Sequence, residues 1–200
     1  MSSFQESRIK KIGILGSSFD PPHFGHLLVA RQTREVVGLD EVWMMPYFAH
    51  SWDDSIAPPS DRLEMVRLIE ESGIIASDEE IKHKKKSYTV ETIKRLKKKH
   101  DHDFYFIVGS DIMPEFNQWK QPDELIKLVN FLIFPRNGYP LPENLPNGFE
   151  VVSSSELVTS NLSSTIVRNR FKKGLSVVGL IPEKVLAYID KHNLYGKDKP

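Results

Sequence analysis

Short apolar runs alternate along this chain with longer amphipathic stretches, and that alternation constrains the fold more than any other feature. Ile9, Ile12, Ile14 and Leu15 make a first strand-like run, and residues 24–38 then carry Leu27, Leu28, Ala30, Val36 and Val37 with charges between them, as an amphipathic helix does. EVWMMP (41–46) reads as a second strand, and SDRLEMVRLIEES (60–72) as a helix with Ser60 as its N-cap and Gly73 as its stop. TVETIKRLKKKH (89–100) is a further helix capped by Thr89, followed by strands at DFYFIV (103–108), FLIF (131–134) and FEVV (149–152). Residues 163–173 and 182–192 close the pattern as helices, and NGYPLPENLPNG (137–148) is a surface loop. Alternation at this pitch predicts an α/β fold: a Rossmann-like open parallel sheet with helices on both faces. Two hundred residues suit a single domain (1–200), with the helical segment of about 163–196 belonging to it.

The first strand runs into GILGSSFDPPHFGH (13–26), a small-residue turn followed by two histidines three positions apart. Gly16, Ser17 and Ser18 let a ligand approach the backbone, and the free N–H groups of the next helix favour an anion. An imidazole in that first turn can donate a hydrogen bond to a phosphoryl oxygen and spread positive charge during a transfer reaction. Taken alone, His23 and His26 also fit a solvated or capping pair, or part of a metal site. Their place after the first strand favours a ligand site, because open α/β sheets bind ligands at the carboxyl ends of strands. GILGSS has neither the spacing of a dinucleotide fingerprint nor that of a Walker motif.

Two other segments carry similar chemistry. Gly109-Ser110-Asp111 ends a buried strand, where Asp111 could accept from ribose hydroxyls or where Ser110 or Asp111 could cap the next helix. Trp119 follows, able either to stack on a flat ring or to pack in the core. In NLSSTIVRNR (161–170), Ser163 is the expected N-cap, Ser164 and Arg168 share a helix face, and Thr165 lies in the same turn, so hydroxyls, amides and a guanidinium converge. That suits a polyphosphate; an ordinary capped helix with a solvated arginine is the alternative.

Composition removes several classes. The formal net charge is zero, so phosphate binding must come from local groups and no nucleic-acid or membrane partner is implied. KHKKK (82–86) and KRLKKKH (94–100) read as solvated surface, and His100-Asp101-His102 as a polar turn. The absence of cysteine excludes disulfides and thiolate chemistry. No run approaches a membrane span or a signal core, so a cytoplasmic protein is expected, and a homo-oligomer is compatible with this reading.

Taken together the segments resemble bacterial-type nicotinate-nucleotide adenylyltransferase, within the nucleotidylyltransferase superfamily whose signature is His-x-Gly-His after the first strand. Here that signature is His23-Phe24-Gly25-His26, joined in order by Arg62 and Met65 in DRLEMV, SYTVETI (87–93), FYFIVGSD (104–111), Trp119, FPR (134–136), SSTIVR (163–168) and IPEKVLAYIDKHNLYG (181–196). The resemblance implies that His23, His26 and Arg168 are catalytic, and that the turn of Gly16, Ser17, Ser18 and Phe19 holds the ATP phosphates. It implies that Gly109 and Asp111 contact the adenosine side, while Ser164 and Thr165 join Arg168 at the triphosphate. Thr89 and Trp119 would hold the pyridine ring of the mononucleotide with nearby backbone N–H groups, Arg136 would add a phosphate contact, and Lys120 would favour an acid over an amide. ATP and a pyridine mononucleotide are then the partners, and Mg²⁺ arrives with the ATP rather than on a protein metal site. The chain departs from the family at PYFAHSWDDS (46–55), where Ser51 follows His50 and the usual lysine is missing, and in having Ser17-Ser18 for the commoner Gly-Thr. A nucleotidylyltransferase for another acceptor, such as nicotinamide mononucleotide, and a non-catalytic nucleotide-binding regulatory module share these residues; retention of both histidines and Arg168 speaks against the module.

Overall fold

The computed structural model describes residues 8–49, 57–86 and 88–196. Six strands, β1 (Lys11–Ser17), β2 (Glu41–Pro46), β3 (Ile74–Ala76), β4 (Asp103–Gly109), β5 (Asn130–Phe134) and β6 (Phe149–Val151), form one all-parallel sheet in the order β3-β2-β1-β4-β5-β6. The helices are α1 (Phe24–Val37), α2 (Pro59–Arg67), α3 (Glu79–His83), α4 (Thr89–Lys99), α5 (Pro122–Leu128), α6 (Ser164–Lys172) and α7 (Glu183–Lys191), with a 3₁₀ segment at Ser110–Gln118. Among the described residues no helix is long and apolar enough to cross a membrane.

Strand alternation divides the core in two. Ile12, Ile14, Phe104, Phe106, Phe131 and Ile133 point to one face and meet Val90, Ile93 and Leu96 of α4 and Leu125 of α5. Leu15, Ile107, Leu132 and Phe134 point to the other, where Leu27 and Ala30 of α1, Met65 and Val66 of α2, Val167 of α6 and Val185 and Ile189 of α7 cover them. Central strands buried on both faces are what parallel crossovers require. Strand order reverses between β1 and β4, so the loops leaving their carboxyl ends diverge and open a crevice.

The expected elements are present with shifted ends. The helix expected at 60–72 begins earlier, because Pro58 is its N-cap and Pro59 its first residue, leaving Ser60 inside. It ends at Arg67, and a turn closed by Glu71 and Ile74, with Gly73 at φ 78°, feeds β3. Thr89 is the first residue of α4 and Tyr88 its cap, so the capping role assigned to Thr89 is corrected. Ser163 does cap α6, its Oγ accepting from the Ile166 N–H at 3.2 Å. Neither Ser110 nor Asp111 caps by a side-chain bond; Ser110 accepts from the Arg136 N–H and donates to the Tyr139 carbonyl, both at 2.9 Å, fastening the loop after β5.

Candidate active site

A cavity of about 470 Å³ lies over the carboxyl ends of β1, β2, β4 and β5. It brings together Gly16, Ser17, Ser18, His23, His26, Thr89, Gly109, Asp111, Trp119, Arg136, Ser164, Thr165 and Arg168 from segments spread over most of the chain. The N-terminal turns of α1 and α6 both open onto it, so the positive ends of two helix dipoles face the same space.

The histidines are held by the local geometry of α1. His23 is its N-cap, and its backbone N–H lies 3.3 Å from Nδ1 of His26. An amide can only donate, so Nδ1 accepts and the proton of the neutral His26 ring sits on Nε2, 3.3 Å from Ser17 Oγ. The two rings stack with centroids 3.8 Å apart. Gly25 permits this: a Cβ there would stand 2.9 Å from Nδ1 of His23. Burial, reinforced by the Arg136 charge, lowers the His23 pKa to about 3. Burial also pushes His26 well below the ordinary histidine range, with the charges of His23 and Arg136 acting the same way. At neutral pH the site therefore presents two neutral imidazoles. His23 is 4 % exposed, and among the described residues its Nδ1 is buried without a hydrogen-bond partner.

The two cavity arginines each face a carboxylate. Arg136 Nη1 donates to Asp111 at 2.9 Å, and Gly109 leaves the room, since a Cβ on it would stand 2.1 Å from Asp111 Oδ1 and 2.8 Å from Arg136 Cδ. Arg168 is 7 % exposed, which removes the solvated-arginine reading; its Nη1 donates to the Asp20 carbonyl at 2.8 Å and lies 3.6 Å from the Asp20 carboxylate.

Two expectations are corrected. Phe19 is fully buried and not a cavity wall; its ring packs on His26 at 4.6 Å, so it supports the histidine from behind. Lys120 lies outside the cavity lining, because its ammonium is paired with Glu91 at 2.5 Å and sits 4.2 Å over the Tyr88 ring. Trp119 lines the cavity as expected of its position; its backbone N–H donates to the Phe116 carbonyl at 3.0 Å, and its indole packs edge-on against Phe106. The altered 46–55 segment lies outside the described residues from 50 onward, His50 and Ser51 included; Tyr47 lines the cavity, beneath the Arg62 guanidinium.

Sequence reasoning missed Tyr47, Glu80 and Glu115 as lining residues, and it missed what Arg62 does. Arg62 is fully buried and donates to the carbonyls of Ser18, Phe48 and Ala57 at 2.8, 3.1 and 3.2 Å, tying the β1 turn to both flanks of residues 50–56. A buried arginine inside an amphipathic helix is a signal that could have been noticed. Glu80 offers none, because α3 is a five-residue helix with no periodicity to read.

Residues 14–170 match the cytidylyltransferase-like family. Two curated proteins, each named "Probable nicotinate-nucleotide adenylyltransferase", are similar nearly end to end. The one from Oceanobacillus iheyensis is 36% identical over 94% of this chain and 98% of its own, and the one from Lactiplantibacillus plantarum 39% identical over 93% and 88%. Among solved structures, a Plasmodium falciparum nicotinic acid mononucleotide adenylyltransferase complexed with NaAD superposes with a TM-score of 0.79 at 24% identity, covering 93% of this chain and 97% of that one. That likeness is one of fold.

Proposed function

The chain belongs to the cytidylyltransferase-like family and to the nicotinate-nucleotide adenylyltransferases, and from that membership we propose how its cavity works. The protein transfers the adenylyl group of ATP to the 5′-phosphate of nicotinate mononucleotide, releasing pyrophosphate and forming deamido-NAD for NAD biosynthesis. The observation that carries the site assignment is the meeting of the His23–His26 pair with Ser164, Thr165 and Arg168 across one cavity, at the N-termini of two helices.

The mononucleotide phosphate oxygen attacks the α-phosphorus of ATP and the bond to the pyrophosphate breaks, with no covalent enzyme intermediate. Such a reaction needs alignment and neutralisation of negative charge more than a protein nucleophile. His26 donates through Nε2–H to a phosphoryl oxygen. Phosphate charge arriving beside the pair reverses the effect of burial on its proton affinity, so the imidazoles become better donors when substrate is bound. Arg168, Ser164 and Thr165 take the triphosphate, Asp111 and Gly109 the adenosine side, and Arg136 a further phosphate. Mg²⁺ enters as part of the ATP substrate, on phosphate oxygens and water.

Selection of the acid is supported by Thr89, the first residue of α4, which lines the cavity. The first amides of a helix lack internal acceptors and favour a carboxylate over a carboxamide. Pyrophosphate release with ATP, Mg²⁺ and either mononucleotide tests the whole reading. The acid should be preferred in kcat/KM by at least about tenfold, the scale of one mismatched buried polar group. Preference for the amide would overturn the acceptor assignment, and no release with any phosphorylated acceptor would overturn the enzymatic one.

A further inference from the structure

Lys120 lies outside the cavity wall, yet its side chain joins the two segments assigned to the pyridine ring. It follows Trp119 directly, and its ammonium crosses to the start of α4. There it meets the Glu91 carboxylate at 2.5 Å and lies 4.2 Å over the Tyr88 ring. Tyr88 is the N-cap of α4, Thr89 its first residue and Glu91 its third. One side chain therefore grips the helix on both sides of Thr89, and Thr89 and Trp119 both line the cavity.

Each end of this bridge is fixed locally. The Glu91 N–H donates to the Tyr88 carbonyl at 2.9 Å, so the two groups under the ammonium belong to one helical turn. The Tyr88 ring packs at the edge of the same core as Trp119, and Lys86 approaches that ring from farther away, at 5.9 Å. On the other side the Trp119 indole meets Phe116 at 5.6 Å and Phe106 at 6.1 Å, and the chain leaves Lys120 through Gln121, at φ 53°, to enter α5. The bond between them holds the Glu91 carboxyl below the ordinary glutamate range and the Lys120 ammonium above the lysine range. A second pair, Lys94 and Glu124 at 2.7 Å, joins α4 to α5 with similar side-chain exposure, 46% and 39% against 41% and 41%. Neither Lys94 nor Glu124 belongs to the cavity wall, which makes that pair the natural control.

We propose that Lys120 is a positioning residue for the acceptor: by clamping Tyr88 and Glu91 it fixes the first turn of α4 relative to Trp119, and so sets the slot that receives the pyridine ring. This role rests on the assignment of Thr89 and Trp119 to that ring. A flat ring held between a helix start and an indole needs both walls in place before it arrives, because ordering left to the binding step is subtracted from affinity. An exposed ion pair contributes little by itself, and here a cation over an aromatic face reinforces it. The reacting phosphates lie with His23, His26 and Arg168, so loosening the slot weakens acceptor binding equally in the ground state and the transition state. KM for the mononucleotide then rises and kcat does not.

The test uses the full-length protein with ATP, Mg²⁺ and nicotinate mononucleotide, with KM for each substrate, kcat and thermal unfolding recorded for every variant. Lys120→Met keeps the stem and removes the ammonium; it should raise the mononucleotide KM about two- to fivefold, the range for an exposed pair, and leave the ATP KM, kcat and Tm near wild type. Lys120→Arg still reaches the carboxylate and the ring, and should keep the wild-type KM. Glu91→Gln separates positioning from simple attraction. Removing a negative charge near an anionic substrate lowers its KM if charge alone matters, whereas loss of the clamp raises it. The double variant Lys120→Met with Glu91→Gln should be no worse than Lys120→Met, and Lys94→Met should leave both KM values unchanged. An unchanged mononucleotide KM in Lys120→Met overturns the proposal. So does a lower one in Glu91→Gln, an additive effect in the double variant, an equal rise in the ATP KM, or an equal rise in Lys94→Met. If Trp119→Leu leaves the mononucleotide KM unchanged, the ring is held elsewhere and the proposal falls with that assignment, whereas an affected Trp119→Leu beside a silent Lys120→Met removes the proposal alone.

Discussion

Taking the protein from about pH 7.5 to about pH 5 should protonate His23 in the unfolded chain but not in the folded one. Its pKa is 6.5 when exposed and about 3 in the fold, where burial outweighs everything else and Arg136 adds to it. Between those values the unfolded state binds more protons, so stability rises with pH there. The histidine costs nothing above pH 6.5, and its penalty grows as the pH falls toward 3. At about pH 5 the gap of roughly 1.5 units below 6.5, at about 1.4 kcal/mol per unit, makes that penalty about 2 kcal/mol. His26, shifted in the same direction, adds to it. The assay is urea unfolding of the wild type and of His23→Asn at both pH values. Carboxylate effects are shared by the two proteins and cancel in the comparison. The wild type should lose about 2 kcal/mol more than the variant on acidification. Equal losses would mean that the folded protein accepts a proton on His23 as readily as water does, and the picture of a buried neutral pair would fail.

His26→Ala should lower kcat for pyrophosphate release roughly 10²-fold, as loss of one preorganised donor does; turnover within about threefold of wild type would take His26 out of the chemistry. Gly25→Ala should place a methyl 2.9 Å from His23 Nδ1, lowering kcat and costing about 1–3 kcal/mol in urea unfolding. A fully active Gly25→Ala would show that the histidine stack need not be kept. Arg62→Met should strand the carbonyls of Ser18, Phe48 and Ala57 and cost about 3 kcal/mol or more, at roughly 1 kcal/mol for each buried acceptor. A change in Tm too small to resolve would mean that water replaces the guanidinium there.

The sequence alone determined the features that depend on neighbours along the chain. Strand and helix periods of β1, α1, β2, α4, β4, β5, α6 and α7 are written in residues a few positions apart, and parallel order follows once strands and helices alternate. The histidine pair was legible for the same reason, because strand, turn and N-cap are contiguous. β6 was legible despite its three residues because FEVV carries a β-branched apolar end, whereas β3, α3 and α5, three, five and seven residues long, complete no hydrophobic period. Tertiary structure decided which groups meet across the sheet. Residues adjacent in sequence part company at Trp119 and Lys120, where the indole lines the cavity and the ammonium turns to Glu91. Phe19 belongs to the phosphate turn in sequence and to the core in space, since its φ of 51° swings the ring behind His26. The Asp20 carboxylate is shared by Arg168 and Tyr195, 148 and 175 positions away. No local pattern encodes such a partnership, because it exists only after α6 and the carboxy-terminal turn have packed against the loop that follows β1, and the desolvation that keeps both histidines neutral arises in the same packing.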